Sequence, residues 1–232
     1  MLAVHSEFGP IVIDAPFGHE GPQNGGFIAN SSMKLFGSEF KTKWSIIERI
    51  RQIGYKSADI DHVLLTHLHF DHTGGMKELA HAKFYVHEPE WNFALSKKAT
   101  MSKGYSKQDY QALRSVETYS LPEGGDIFGD GSIVAVDLRG HSPGQVGFRI
   151  QLGEGGEVIH AADAAYTLGQ ISHGHSLGTM SKFSCSNYEQ AVGTLETVRG
   201  MAYSNPDARW ITSHDDSLGR LCENGPISLI GD

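Results

Sequence analysis

Thr66-His67-Leu68-His69-Phe70-Asp71-His72-Thr73-Gly74-Gly75 is the stretch from which the fold of this chain can be read. Residues 67 to 72 hold three histidines and one aspartate. Ahead of them, Val63-Leu64-Leu65 is a short apolar run that predicts a buried strand. Behind them, Gly74-Gly75 leads into Met76-Lys77-Glu78-Leu79-Ala80, which predicts a short helix. The polar cluster is therefore expected on a turn where strand gives way to helix. His67 and His69 flank Leu68, so on an extended segment both can point the same way. Neutral imidazole and carboxylate suit zinc, iron, manganese or cobalt. A lone histidine at a strand end is ordinarily a polar surface residue, but here spacing and context agree on metal binding. A cluster this dense can divide its ligands between two metals.

The 232 residues are compatible with one large α/β domain, residues 1–232. A formal charge of −8 argues against non-specific nucleic-acid binding, which needs a basic surface. No apolar run approaches membrane-span length, so no membrane partner is expected. The opening Met1-Leu2-Ala3-Val4-His5-Ser6-Glu7 has no basic region followed by an apolar one, so no secretory signal is expected. Cys185 and Cys222 form neither a metal-type pair nor a disulfide framework, and a reduced cytoplasmic setting is the default expectation.

Phe8-Gly9 predicts a turn and Pro10–Asp14 a strand. Residues 15–40, rich in Gly, Asn and Ser, hold Phe17, Phe27, Met33, Leu35 and Phe36, and a loop so long is more often functional than filler. Thr42 to Ile53 predicts a helix, with Trp44, Ile46, Ile47, Ile50 and Ile53 at helical spacing and Gly54 as the stop. Ala82–His87 predicts a strand. Residues 89–119 predict two helical pieces interrupted near Lys103-Gly104, whose aromatics suit either a lid or ordinary core. Ile133–Leu138 predicts a strand running into Arg139-Gly140-His141-Ser142-Pro143-Gly144, a tight loop that sets His141 at the strand end. Phe148, Ile150 and Leu152 alternate, and Gly153–Gly156 turns into Val158-Ile159 as a hairpin that delivers Asp163. Ser186 and Glu189 form a capping-box pattern for a helix reaching about Met201, and Trp210–Thr212 predicts a last strand ending near His214. Strands and helices in both halves suggest two packed sheets with helices outside. The remaining histidines are expected to be mostly surface or satisfied polar residues, with His19, His173 and His175 able to line a cleft.

His67-x-His69-x-Asp71-His72 resembles the signature of the metallo-β-lactamase-fold hydrolases. The resemblance implies an αββα sandwich of two mixed β-sheets flanked by helices over nearly the whole chain. It implies two divalent ions per chain, zinc first, with iron, manganese or cobalt as alternatives. One ion would take His67, His69 and His141, and the other Asp71, His72 and His214, with Asp163 bridging. Asp14 matches an aspartate turn that supports the ligands from behind. Lactone-cleaving members carry more chain ahead of this strand, so either an edge strand is missing or the true start lies elsewhere. An oxygen-reducing branch has a glutamate where His69 stands, and antibiotic-hydrolysing branches have a cysteine where Asp163 stands; this chain has neither.

Asp163-Ala164-Ala165-Tyr166 and the placement of Phe70 resemble the N-acyl-homoserine lactone hydrolases and pyridoxolactone-type lactonases. What this implies is hydrolysis of a small ester or lactone by a hydroxide bridging two metals. Tyr166 would donate to the developing oxyanion. Asp71 would shuttle the proton, and Phe70 would contact the substrate's apolar part. A glyoxalase-II-type thioester hydrolase, a phosphodiesterase of the same fold, and a non-catalytic binding protein are the alternatives. Metal identity, acyl-chain preference and oligomeric state are open at this point.

Overall fold

The computed structural model describes residues 1–19, 41–111, 113–153 and 155–215. Its chain divides into two compact units, Met1–Thr118 and the part from Tyr119 onward. The first carries a five-stranded sheet in the order β1-β2-β3-β4-β5: β1 Leu2–His5, β2 Gly9–Ile13, β3 His62–Leu64, β4 Lys83–His87 and β5 Val116–Tyr119. β1 and β2 form the antiparallel hairpin expected around Phe8-Gly9, and β2, β3 and β4 run parallel. The parallel strands are apolar runs: Ile11, Val12, Ile13, Val63, Leu64, Phe84 and Val86 are all fully buried, as parallel strands covered on both faces require.

Among the described residues of this unit, the α-helices are α1 Ile46–Gln52, α2 Phe70–Thr73, α3 Glu88–Leu95 and α4 Lys107–Tyr110. The Ser45 hydroxyl caps α1 by accepting from the Glu48 amide at 3.4 Å, Ile46 and Ile50 face inward, and Gly54 ends the element at φ +91°. After β3, helical structure begins at Phe70 rather than at the expected Met76. α2 lies inside the histidine motif, and Met76–Leu79 is a further 3-10 turn. Residues 89–119 also differ from expectation, because their end is β5 rather than helix. Tyr105 and Tyr110 are buried, and Trp91, Phe93 and Leu113 pack on the same core, so these aromatics are core. Of the 15–40 loop, residues 20–40 lie outside the described residues, as does Cys222.

The second unit holds a four-stranded sheet: β6 Ile133–Asp137, β7 Val146–Gln151, β8 Glu157–His160 and β9 Arg209–Ile211. β6, β7 and β8 pair antiparallel in sequence, and β9 joins β8 in parallel. β6, β8 and β9 therefore all run the same way and end at the same edge. Its helices are α5 Leu168–Ser172, α6 Ser181–Ser184 and α7 Tyr188–Ser204. α7 buries Ala191, Leu195 and Val198 against Leu138, Ala161 and Ala164. Its cap is Asn187, whose side chain accepts from the Gln190 amide at 3.1 Å, rather than the expected Ser186. The Ser186 amide instead donates to the His141 carbonyl at 2.8 Å. Three of the remaining histidines, His5, His87 and His160, are buried, and His5 and His160 are satisfied there by accepting from backbone amides. Among the described residues, no helix is long and apolar enough to cross a membrane.

Gly140 sits where α7 meets the loop before His141. Its φ is +136°, and a Cβ there would stand 2.4 Å from the Ala191 backbone nitrogen. Backbone strain and backbone collision act together, and α7 cannot retreat without leaving its own core. Gly140→Ala is expected to cost about 2–4 kcal/mol, or roughly 5–15 °C in Tm. Gly153→Ala, in open space, should stay within about 0.5 kcal/mol. Urea denaturation of both variants checks this, and equal stability would mean that the Gly140 contact is not a constraint.

Candidate metal-binding site

In the first unit the ligand candidates follow β3. His67 and His69 lie between β3 and α2, His69 on extended backbone, whereas Asp71 and His72 lie on α2. The three imidazoles are buried, with ring centroids 4.7 Å apart for His67–His69 and 4.0 Å for His67–His72. Asp71 is half-exposed, and its Oδ2 stands 3.9 Å from His72 Nε2.

Asp14, at the end of the neighbouring strand β2, decides how these rings are presented. Its backbone is left-handed at φ +58°, a region that aspartate tolerates better than most residues. Its carboxylate accepts from the Thr66 amide at 2.9 Å and from the Thr66 hydroxyl at 2.9 and 3.1 Å. It also contacts His72 Nδ1 at 2.9 Å. An ionised carboxylate can only accept, so Nδ1 of His72 carries the proton and Nε2 keeps its lone pair. Thr66 has one hydroxyl proton, and Asp14 takes it. The Thr66 oxygen, 3.0 Å from His67 Nδ1, must then accept from that ring. One carboxylate thus leaves Nε2 of His72, and through a threonine Nε2 of His67, without hydrogen and chemically able to ligate a metal.

Other contacts hold the loop in place. Glu90 on α3 is fully buried and accepts from the Leu68 amide and the Tyr105 hydroxyl, each at 2.9 Å. The Tyr105 ring meets His69 edge-on, with centroids 4.8 Å apart. Gly74 is needed for close approach: its φ is ordinary, but a Cβ would stand 2.6 Å from the Pro16 carbonyl oxygen. Phe70 is the half-buried first residue of α2, and its amide donates to the Gly104 carbonyl at 2.7 Å.

In the second unit three strands ending at one edge deliver the remaining candidates: His141 after β6, Asp163 after β8 and His214 after β9. Asp163 Oδ2 lies 3.3 Å from His141 Nε2 and 3.2 Å from His214 Nε2. His141 and Asp163 are buried, while His214 is more open. Tyr166 places its hydroxyl 3.0 Å from His141 Nδ1 and 3.5 Å from the Ser184 hydroxyl. Burial, and then the charge of Asp163, pushes the Tyr166 pKa well above the ordinary tyrosine value, so the phenol keeps its proton at neutral pH. Cys185 Sγ is 3.8 Å from His141 Nδ1, and burial raises that thiol's pKa.

These donors fit divalent cations. Two ligand atoms about 2.0–2.2 Å from a tetrahedral zinc stand roughly 3.3–3.6 Å apart, close to the spacing of Asp163 Oδ2 from each imidazole. The structure brings together His67, His69, Asp71 and His72 in the first unit, and His141, Asp163, His214 and Tyr166 in the second. The other cleft candidates join neither group: the His19 amide bonds to Glu78, and His173 and His175 are exposed with ring centroids 6.0 Å apart. Sequence reading missed Thr66, Glu90, Ser184 and Cys185. Only Glu90 left a trace, as a carboxylate at i, i+4 from Ala94 on the inward face of α3.

A carboxylate-supported histidine turn after a parallel strand, in a chain of two mixed sheets with flanking helices, defines the class, and comparison bears it out. Residues 35–204 match the family model of the metallo-beta-lactamase superfamily, and the chain belongs to that superfamily and has its fold. The N-acyl homoserine lactonase AttM of Azorhizobium caulinodans is 28% identical over 177 residues, covering 73% of this chain and 63% of that relative. The chain therefore spans less than two thirds of the length of such curated relatives. Among solved structures, the AiiA variant of Bacillus thuringiensis with N-decanoyl-L-homoserine bound aligns with 95% of this chain and 82% of its own at TM-score 0.72 and 21% identity. AidC, described as a dizinc quorum-quenching lactonase, covers 92% and 71% at TM-score 0.64 and 18% identity.

Asp14→Asn keeps the size and tolerates the left-handed backbone but weakens the acceptor behind two ligand rings. Zinc affinity, measured by competition with a chromophoric chelator, is expected to fall about 10–100-fold with little loss of helix signal in circular dichroism. Unchanged affinity would show that Asp14 does not orient the ligands.

Proposed function

We propose that this chain is a metal-dependent hydrolase, one domain over residues 1–232, that opens lactone rings of the N-acyl-homoserine lactone kind. The observation that carries this reading is the second-unit constellation, in which one Asp163 oxygen faces two imidazole nitrogens and Tyr166 stands against His141. The lactonase names of its relatives support it. In this reading His67, His69 and His141 hold one ion, Asp71, His72 and His214 hold a second, and Asp163 is shared. Zinc is the first choice and iron, manganese or cobalt the others. Divalent ions in such a site supply Lewis acidity and an attacking water of lowered pKa.

The chain's own residues do the rest. His141, bound through Nε2, carries its proton on Nδ1 and donates it to the Tyr166 oxygen. That leaves the tyrosine's own proton to hydrogen-bond the lactone carbonyl oxygen as negative charge develops there. The contact with His141 thus aims the phenol and leaves its donor capacity intact. Asp71, the most open of the first-unit acids and histidines in the motif, takes the proton released on attack and returns it to the leaving alkoxide. Phe70 at the head of α2 meets the apolar part of the substrate. The small-molecule ester or lactone is the partner this reading calls for, with no nucleic acid or membrane involved, and the setting is cytoplasmic.

Asp71→Asn retains an oxygen ligand but cannot carry a proton at neutral pH. Its kcat should drop about 10²–10⁴-fold while metal content, measured by atomic emission, stays at the wild-type level. Full activity with full metal would remove Asp71 from proton transfer.

Substrate class is tested by a panel of lactones, a glutathione thioester and a phosphodiester on metal-loaded protein. Lactones should be turned over best. Tyr166→Phe should lower lactone kcat about 10–100-fold with a modest change in KM, because a metal shares the oxyanion charge. A thioester or phosphodiester preferred over every lactone, and insensitive to Tyr166→Phe, would refute the lactonase reading and leave the metal site standing.

A further inference from the structure

Asp14 reaches the histidine motif from β2, one neighbour of β3, and a second buried carboxylate reaches it from the side of the other neighbour. β4 runs parallel to β3, and α3 begins at Glu88, where β4 stops. Glu90 lies in the first turn of α3, where acidic side chains ordinarily serve the free amides of their own helix. Here Oε1 of Glu90 accepts from outside the helix, from the Leu68 amide and the Tyr105 hydroxyl, each at 2.9 Å. Glu90 and Leu68 are fully buried, and Tyr105 is nearly so.

Both partners lead to His69. Leu68 precedes it in the chain, so holding the Leu68 amide fixes the peptide plane from which the chain enters His69. Tyr105 stands edge-on to the His69 ring, with centroids 4.8 Å apart at 81°, and Phe93 backs Tyr105 at 5.3 Å. His69 and Tyr105 also pair as an isolated antiparallel bridge. Next to Tyr105, Gly104 gives the ring just enough room: a Cβ there would stand 2.9 Å from His69 Cδ2. The Thr73 hydroxyl lies 3.2 Å from the His69 carbonyl oxygen and 3.1 Å from the carboxylate of Asp109 on α4. An imidazole seated against an aromatic edge, on a backbone held at both sides, has few rotamers left to it. One Glu90 oxygen holds both that edge and that backbone.

Resting on the reading of His69 as a metal ligand, we propose that Glu90 is the positioning residue for His69. Through the Leu68 amide and the Tyr105 hydroxyl it sets the His69 ring for a metal ion, as Asp14 sets His67 and His72. Glu90 acts by accepting two hydrogen bonds, so an uncharged acceptor in the same place does the same work. The two carboxylates act on different rings, and loss of Glu90 disturbs His69 while the Asp14 network keeps His67 and His72 in place.

The test measures zinc affinity by chelator competition for wild type, Glu90→Ala, Glu90→Gln and Tyr105→Phe, with circular dichroism to establish that each is folded. Glu90→Ala should bind zinc about 10–100-fold more weakly than wild type. Tyr105→Phe, which keeps the ring and loses one hydrogen bond, should bind about 2–10-fold more weakly. Glu90→Gln keeps an acceptor oxygen on the same stem and should stay within about threefold of wild type. A merely structural Glu90 would lower Tm and leave the zinc affinity of the folded protein unchanged, and that result overturns the proposal. So does a loss in Glu90→Gln as large as in Glu90→Ala, because charge and not hydrogen-bond acceptance would then be at work. Imidazole nitrogen NMR of the metal-free protein is the second readout. In Glu90→Ala the His69 signals should shift while those of His67 and His72 hold, and equal movement of all three would mean general loosening and sink the idea. Should Glu90→Ala fail to fold, Tyr105→Phe decides, with unchanged affinity and unchanged His69 signals counting against the proposal. A wild type without zinc affinity removes the metal reading and this inference together, whereas zinc held equally by every variant removes this inference alone.

Discussion

The Asp14 carboxylate is the interaction on which the first-unit site depends. It accepts from the Thr66 amide and hydroxyl and holds His72 Nδ1 at 2.9 Å. Because a carboxylate has no proton to give, the direction of every hydrogen bond leading away from it is determined. His72 and, through Thr66, His67 must turn an unprotonated Nε2 outward. Had either ring taken the other tautomer, its outward nitrogen would carry hydrogen and could not ligate. A left-handed backbone at Asp14 is the conformational cost of that arrangement.

Topology puts this carboxylate where it is needed. β2 and β3 are adjacent and parallel, so the residues just past their ends, Asp14 and the histidine motif, come together with no long side chain required to reach. The same logic operates independently in the second unit, where β6, β8 and β9 share a direction and His141, Asp163 and His214 emerge at one edge. Ligands gather outside the carboxyl ends of strands in sheets of this kind because the backbone there is released from ladder hydrogen bonds and can turn.

Two residues illustrate how packing and chemistry are shared. Gly140 lets α7 close on the loop bearing His141, so helix stability and the position of His141 depend on one contact. Tyr166 is held by His141 and raised in pKa by burial, which keeps it a neutral donor rather than a second negative charge beside Asp163.

The histidine motif, the apolar strand ahead of it and the order of later polar strand ends were legible in the chain itself, because metal ligation demands particular side chains and buried parallel strands demand unbroken apolar runs. The family and the two mixed sheets followed from them. Tertiary structure decided what local sequence does not encode. Glu90 bonds the Leu68 amide across 22 residues, and Asp14 reaches Thr66 across 52 before Thr66 passes the acceptor to the adjacent His67. Val116–Tyr119 is a strand because a sheet edge was there to receive it, not because its own period required it. Tyr105 and Tyr110 became core because apolar residues distant in sequence pack around them. Asn187 rather than Ser186 caps α7, with its side chain accepting from the Gln190 amide, while the amides of both residues are held by the carbonyls of His141 and Gly140. Hydrogen-bond direction, tautomer and burial are properties of neighbours in space, and a side chain's neighbours are set by the fold as a whole.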